Sequence, residues 1–397
     1  MLTHKFRLYP NKEQEEKLLW TLDKCRQTYN LLLSELQQQK IIDKAQIQGI
    51  LPDLKICEPE LKQVYSKTLQ YECYRLFSNL RALSQSKKNK RKVGKLRFKG
   101  KNWFKTFTYN QLGFKLVKTE KRCQNLHLSK IGDIKIRVHR KVEGKIKQIT
   151  IKKEPSEKWY AFVNEENKEI INKQPTERIV GIDLGLTDIV YDSEGNKICN
   201  PRQFKKYEER LVKLHRKLSK KERGSKNRNK ARIRIAKWYE KLANSRNDFL
   251  HKVSKYYINN YDVIAMEDMD ITHMVNNNHF SKSILDASWG KLRQFIAYKA
   301  ERAGKLYLSV NHKGTTQRCS NCGEKVIKNL SERIHKCPFC KFTAPRDYNS
   351  ALEIKKLCLQ KIGQELSEFK PVEIAMAAEL NKLRSTSYQS MNQETSF

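Results

Sequence analysis

Residues 181–186 read Gly-Ile-Asp-Leu-Gly-Leu, and the meaning of Asp183 within them decides the fold. The residues belong to an apolar strand, Ile179 to Leu184, followed by a second from Asp188 to Tyr191 and a turn at Ser193-Glu194-Gly195-Asn196. A carboxylate inside an apolar strand costs several kcal/mol unless it is paired or binds a cation. Two more acids stand in comparable places. Glu267 ends the apolar strand Val263-Ile264-Ala265-Met266-Glu267, and Asp347 opens a final helix in Arg346-Asp347-Tyr348-Asn349-Ser350-Ala351. Singly, each has an ordinary structural explanation: a turn residue, a strand-end charge, a helix N-cap.

Together, two strand acids followed by a helix-start acid match an α/β RNase H-like arrangement, in which two central strands and a later helix converge their carboxylates. Such a cluster repels itself and needs Mg²⁺ or Mn²⁺. Hard oxygen ligands favour Mg²⁺ over zinc at that site. A pair of such ions would activate a water and stabilise the leaving oxygen of a phosphodiester.

The second chemical signal is a pair of C-x-x-C knuckles, Cys319-Ser320-Asn321-Cys322 and Cys337-Pro338-Phe339-Cys340. Each turns two thiolates towards one ion, and Gly323 suits the tight turn after the first. With four thiolates no position is left for water, so the expected zinc is structural. Of the ten cysteines, the other six are scattered. That usage reads as a metal site in a reducing cytoplasm and not as a disulfide framework.

The chain has 397 residues with 81 Lys+Arg against 43 Asp+Glu, a formal net charge of +38. Length suggests about two or three domains, and the charge calls for a polyanionic partner, nucleic acid or an anionic membrane surface. No apolar stretch follows Met1 as in a secretory signal, and none reaches the roughly 18 apolar residues of a membrane span. Nucleic acid is therefore the expected partner, with no membrane role.

Asn11 and Gln14 form a candidate capping box, and Leu18, Leu22, Cys25, Tyr29 and Leu32 recur with helical spacing. A second helix is expected from about Glu60 to Leu83. Lys87 to Lys105 carries ten Lys/Arg and no acid, with Phe98, Trp103, Phe104, Phe107 and Tyr109 interleaved or close behind. Phosphate contact, with the aromatics shared between core and base stacking, is the expected use. Period-two alternation from Ile131 to Val163 predicts a small β-barrel or sheet, and Asn172 to Pro175 a linker. A helical zone from about Phe204 to Ile258 breaks at Gly224-Ser225. It carries 16 Lys/Arg against three Glu between Arg202 and Lys237, as a helical hairpin with a basic outer face.

The chain resembles the TnpB family of RNA-guided nucleases encoded by insertion sequences. The resemblance covers nearly everything before about residue 360. It rests on FRLYPNKEQEEKL near the start, CRQTYN at 25–30, RFKGKNWFKTFTYN at 97–110 and GIDLGLTDIV at 181–190. It continues in NSRNDFLHKVS at 244–254, VIAMEDM at 263–269, TTQRCSNCG at 315–323 and CPFCKFTAPRDYNSA at 337–351. Ser350 stands where the family usually has alanine, and Thr316 where serine is usual.

The resemblance implies that Asp183, Glu267 and Asp347 are the acids of a RuvC-type site, with a zinc ribbon inserted before the third. It implies a wedge-like β-barrel at 1–10 and 87–175, a helical recognition domain at 11–86, and a nuclease domain at 176–318 and 342–370. The zinc ribbon falls at 319–341, and a disordered tail is expected at 371–397. A guide RNA from the transposon end would pair with double-stranded target DNA beside a short motif read by the protein. Lys67, Gln70, Thr108, Asn110, Lys99 and Lys101 are the candidate nucleic-acid contacts. A monomer with its RNA, in a prokaryotic cytoplasm at the nucleoid, is the expected state. Two alternatives are a compact type V CRISPR effector and a non-catalytic zinc-ribbon regulator, and the intact acid triad disfavours the second. A cut-and-paste transposase is disfavoured by the resemblance.

Overall fold

The computed structural model describes residues 2–39, 43–110, 112–117, 124–166, 178–276, 281–311, 314–329 and 332–368. The expected linker at 172–175 and tail at 371–397 lie outside them. The chain divides into two compact units, Met1–Glu169 with Leu214–Glu240, and Ile170–Lys213 with Lys241–Phe397.

The first unit opens with strand β1 (Leu2–Tyr9) and helix α1 (Lys12–Gln38). The capping box forms: Asn11 Oδ1 accepts from the Gln14 amide at 2.8 Å, and Gln14 Oε1 from the Asn11 amide at 3.0 Å. Short helices α2 (Lys44–Gly49) and α3 (Leu51–Cys57) and a 3-10 turn at Pro59–Gln63 precede α4 (Ser66–Lys88). The second long helix thus begins at Ser66 and not near Glu60, because Pro59 opens its own turn.

Six strands follow: β2 (Thr106–Asn110), β3 (Phe114–Val117), β4 (Gln124–Leu128), β5 (Gly132–Arg137), β6 (Lys145–Lys153) and β7 (Trp159–Glu166). With β1 they make a seven-stranded antiparallel sheet in the order β2-β6-β7-β1-β5-β4-β3. Its two edges, β2 and β3, are consecutive in the chain, so a short loop draws them towards each other and the sheet is nearly closed. Phe6, Phe107, Tyr109, Ile134, Ile136, Ile149, Ile151 and Trp159 fill the interior with the buried face of α1 and α4.

The second unit begins with β8 (Ile179–Asp183), β9 (Asp188–Asp192) and β10 (Lys197–Cys199), then α5 (Gln203–Ser219) and α6 (Lys226–Asn260). These two helices are the expected hairpin, broken where Gly224 takes φ +85°. Its outer part, Leu214–Glu240, groups with the first unit. The cause is local: Glu240 accepts a hydrogen bond from the Tyr160 hydroxyl and pairs with Lys158 at 3.1 Å, both near or on β7.

The chain continues through β11 (Val263–Asp268), α7 (Ile271–Val275), α8 (Ser281–Ala287), α9 (Trp289–Arg302) and β12 (Leu306–Asn311). It ends with the small hairpin β13 (Ile334–Lys336) and β14 (Thr343–Pro345) and helix α10 (Arg346–Glu368). The sheet order is β10-β9-β8-β11-β12, with β8, β11 and β12 parallel. Both faces of the central strands are covered, which is why they read as unbroken apolar runs.

Candidate functional site

Three facts of backbone geometry bring the acids together. Ile182 on β8 pairs with Met266 on β11, so Asp183 and Glu267 follow side by side at the ends of parallel strands and share a face. Gly181, two residues earlier, points to that same face. A Cβ there would meet the Ala351 carbonyl at 2.3 Å and the Lys355 amide at 2.6 Å. Helix α10 therefore lies directly on β8, and Asp347, one turn before Ala351, comes to the end of the strand where Asp183 sits.

The electrostatics agree. Asp183 is 8% exposed and Glu267 7%. Burial, then the charge of Glu267, then that of Asp347 push the Asp183 carboxyl well above the ordinary range, against a hydrogen bond from the Leu184 amide and the nearby Arg346. Thr315 donates its hydroxyl to Glu267 Oε1. Arg293 on α9 fastens the end of β11 by bonding Asp268 Oδ1 at 2.7 Å and the Met269 carbonyl at 3.2 Å. A buried carboxyl crowded by two further carboxylates offers hard oxygens that could hold a divalent cation of the Mg²⁺ or Mn²⁺ type.

The four knuckle cysteines form a much tighter group, with all four sulfurs within 4.8 Å of one another. The three carboxylates are spaced more widely than this. Cys319 and Cys340 sulfurs are 3.6 Å apart, as are those of Cys322 and Cys337. Corners of a tetrahedron around zinc, with Zn–S of about 2.3 Å, lie about 3.8 Å apart, so the cluster is compatible with zinc. Each knuckle closes with an amide on the first cysteine's carbonyl, Gly323 to Cys319 at 2.8 Å and Lys341 to Cys337 at 3.0 Å. Gly323 takes φ +83°, the left-handed turn expected of it. The Asn321 side chain and the Phe342 amide hold the Cys340 thiol down to about 6, whereas burial and the neighbouring sulfurs push Cys319 and Cys322 up, so in the absence of a cation the four thiols share their protons unevenly. No disulfide is formed among the nine described cysteines. Cys337→Ser is expected to lower bound zinc and soluble yield together, measured by elemental analysis of the purified chain. Full zinc and full yield in that variant would contradict a four-thiolate site.

The candidate nucleic-acid contacts separate. Lys67 and Gln70 are half-buried on α4, and Lys101 is exposed. Lys99 is pinned: its amide donates to Asn30 Oδ1 at 2.8 Å, and its carbonyl accepts from Asn30 Nδ2 at 3.0 Å and from Arg26 at 3.1 Å. Its ammonium lies 5.3 Å from the centre of the exposed Trp103 ring. Thr108 is 1% exposed, and its hydroxyl bonds that of Thr150 at 2.9 Å across the β2–β6 pair. Asn110, at the end of β2, is half-buried. Of the aromatics in this region, Phe98 and Trp103 are exposed while Phe104, Phe107 and Tyr109 are core.

Thr315, Arg293 and Asn349 were not singled out from the sequence as site residues. Thr315 and Asn349 lie inside the segments that carry the family resemblance, but their side chains look like ordinary loop and helix polars until the fold places them.

The fold is shared with the Cas12f1 chain of a cryo-EM structure of a Cas12f1–sgRNA–target DNA complex. The TM-score is 0.60 at 17% identity, covering 87% of this chain and 83% of that one. Three family profiles match in sequence: "Probable transposase" over residues 160–278, "Cas12f1-like, TNB domain" over 289–354 and "Helix-turn-helix domain" over 1–40. Within the last, the structure has β1 and the single helix α1. Among named relatives, InsQ of Escherichia coli K12, named for RNA-guided DNA endonuclease activity, is 28% identical over 375 residues, 88% of this chain and 90% of its own. A TnpB-like protein of Methanocaldococcus jannaschii is 30% identical over 203 residues, 48% of this chain and 72% of its own. The chain belongs to the TnpB family.

Proposed function

We propose that this chain is an RNA-guided DNA endonuclease of the insertion-sequence type, cutting double-stranded DNA by phosphodiester hydrolysis at Asp183, Glu267 and Asp347. The observation that carries this reading is geometric: Asp183 and Glu267 end paired parallel strands, and α10, with Asp347 in its first turn, packs on Gly181 of the same strand. The relatives' names support it: InsQ is named for this activity, and the structure that shares the fold is a complex with guide RNA and target DNA.

In this reading the five-stranded sheet with α10 is an RNase H-like core of RuvC type, at 176–318 and 342–370. The zinc ribbon is 319–341, the nearly closed sheet (1–10 and 87–175) is the wedge, and 11–86 is the recognition domain. The protein acts as a monomer carrying RNA. Asp183, Glu267 and Asp347 would hold two Mg²⁺ or Mn²⁺ ions. Bound there, such ions supply Lewis acidity to the phosphate and lower the pKa of the attacking water. The rest is done by the chain. Thr315 orients the Glu267 carboxylate, Arg293 fixes the strand end beneath it, and burial strips water from Asp183. Base pairing between guide and target would supply sequence specificity, leaving the protein to hold phosphates. Lys217, Lys221, Lys230, Arg234 and Lys237, lining a groove between α5 and α6, suit that task.

The test is to purify the chain, sequence the RNA that accompanies it, and incubate the complex with duplex DNA matching that RNA. Cleavage with Mg²⁺ and none with EDTA is expected. Stable RNA binding with no Mg²⁺-dependent cut on any matched target would sink the reading in favour of a regulator.

A further inference from the structure

One short segment touches both the strand that carries Glu267 and the helix that carries Asp347. Thr315, 2% exposed, bonds Glu267 through its hydroxyl. Just before it Gly314 takes φ +88°, and the amides of Gln317 and Arg318 both bond the Gly314 carbonyl, at 3.0 and 2.8 Å. The segment is thus a tight turn of fixed shape. At its other end the Ser320 amide donates to Asn349 Oδ1 at 3.0 Å, and Asn349 Nδ2 donates to the Arg318 carbonyl at 2.8 Å. Asn349 is fully buried on α10, two residues after Asp347. One turn further along the helix, the buried Glu353 pairs with Arg318 at 3.6 Å. A carboxamide presents one donor and one acceptor side by side, as a peptide group does, so it can bind a backbone N–H and C=O at once. Aspartate could accept from Ser320 but not donate to Arg318.

We infer that residues 315–320 are a splint between the two acids, and that Thr315 and Asn349 are positioning residues that set the separation of Glu267 from Asp347. Cys319 lies inside the splint, so the folding of the first thiolate knuckle and the spacing of the carboxylates become one event. The catalytic consequence rests on the endonuclease reading, whereas the splint itself rests on the hydrogen bonds.

The full chain is purified with its RNA as wild type, Thr315→Val, Thr315→Ser and Asn349→Ala. Four quantities are read: zinc per chain, melting temperature, Mn²⁺ affinity by electron paramagnetic resonance, and the Mg²⁺ concentration for half-maximal cleavage. Thr315→Val is expected to keep its zinc and melting temperature. It and Asn349→Ala are expected to weaken Mn²⁺ binding about 10-fold and to raise the Mg²⁺ requirement to match. Thr315→Ser, which keeps the hydroxyl, restores both. Wild-type Mn²⁺ affinity in Thr315→Val overturns the inference. So does a Thr315→Ser variant as weak as Thr315→Val, or an Asn349→Ala variant whose only change is lost zinc. Wild-type protein that binds Mn²⁺ but cuts no matched DNA sinks the endonuclease reading instead, and the splint is then decided by the Mn²⁺ affinities alone.

Discussion

Asp183→Ala cuts matched duplex DNA at least ~10³-fold more slowly than the wild-type chain, and it keeps its RNA. The loss follows from the position of Asp183, a buried acid that feels the charges of both Glu267 and Asp347. The same fact gives the variant an opposite effect on stability. A carboxyl whose folded pKa is raised stabilises the fold only when protonated, and that contribution disappears as pH rises through the folded value. At neutral pH, in EDTA, burying the Asp183 carboxyl beside Glu267 and Asp347 therefore works against folding, and Asp183→Ala melts higher than wild type. Lowering the pH raises the wild-type melting temperature towards that of the variant. Retained cutting would remove Asp183 from the mechanism. A variant less stable in EDTA would show that the carboxylate has a structural partner that outweighs its burial.

Gly181→Ala loses more than about 3 kcal/mol of stability, out of the 5–15 kcal/mol or so typical of a folded domain. The methyl group would enter the Ala351 carbonyl and the Lys355 amide, both backbone atoms of α10 that no side-chain rotation can move aside. Either the helix lifts from β8, carrying Asp347 away from Asp183, or the second unit fails to fold. Gly49→Ala in α2 is the control, because nothing lies within 4 Å of a Cβ there. It is expected to change stability by less than about 1 kcal/mol. Denaturant melts of the two variants beside wild type decide the matter. A Gly181→Ala midpoint equal to that of Gly49→Ala would mean that α10 does not press on β8 as described.

What could be read in advance was whatever local chemistry writes into neighbouring residues. The Asn11 capping box, the break at Gly224, the strand pair around Asp183 and the paired knuckles each depend on spacings of a few residues, and each was legible. The start of α4 was missed because a helical run of apolar residues continues through the 3-10 turn at Pro59, and periodicity alone does not separate the two. Strands β3 and β4, Phe-Lys-Leu-Val and Gln-Asn-Leu-His-Leu, are too short for their alternation to stand out. The burial of Thr108 was hidden for a different reason. The β2 sequence Thr-Phe-Thr-Tyr-Asn alternates as a half-exposed strand would, yet Phe107, Thr108 and Tyr109 are all buried, which leaves β2 covered on both faces. Thr315 and Asn349 gain their meaning from atoms 48 and 29–31 positions away, a pairing that no local pattern records.

The mooring of Lys99 to α1 through Arg26 and Asn30 bears on how this chain meets a phosphate polymer. Ordering a slack ribbon of lysines and arginines at the moment of binding would forfeit about 1–2 kcal/mol of backbone freedom per residue. Here three hydrogen bonds tie the ribbon down at Lys99 while the protein folds, so part of that entropy is already lost before any polyanion arrives. The Lys99 charge is thus offered from a backbone of fixed position, and a phosphate met there demands less ordering than one met by a wholly slack ribbon.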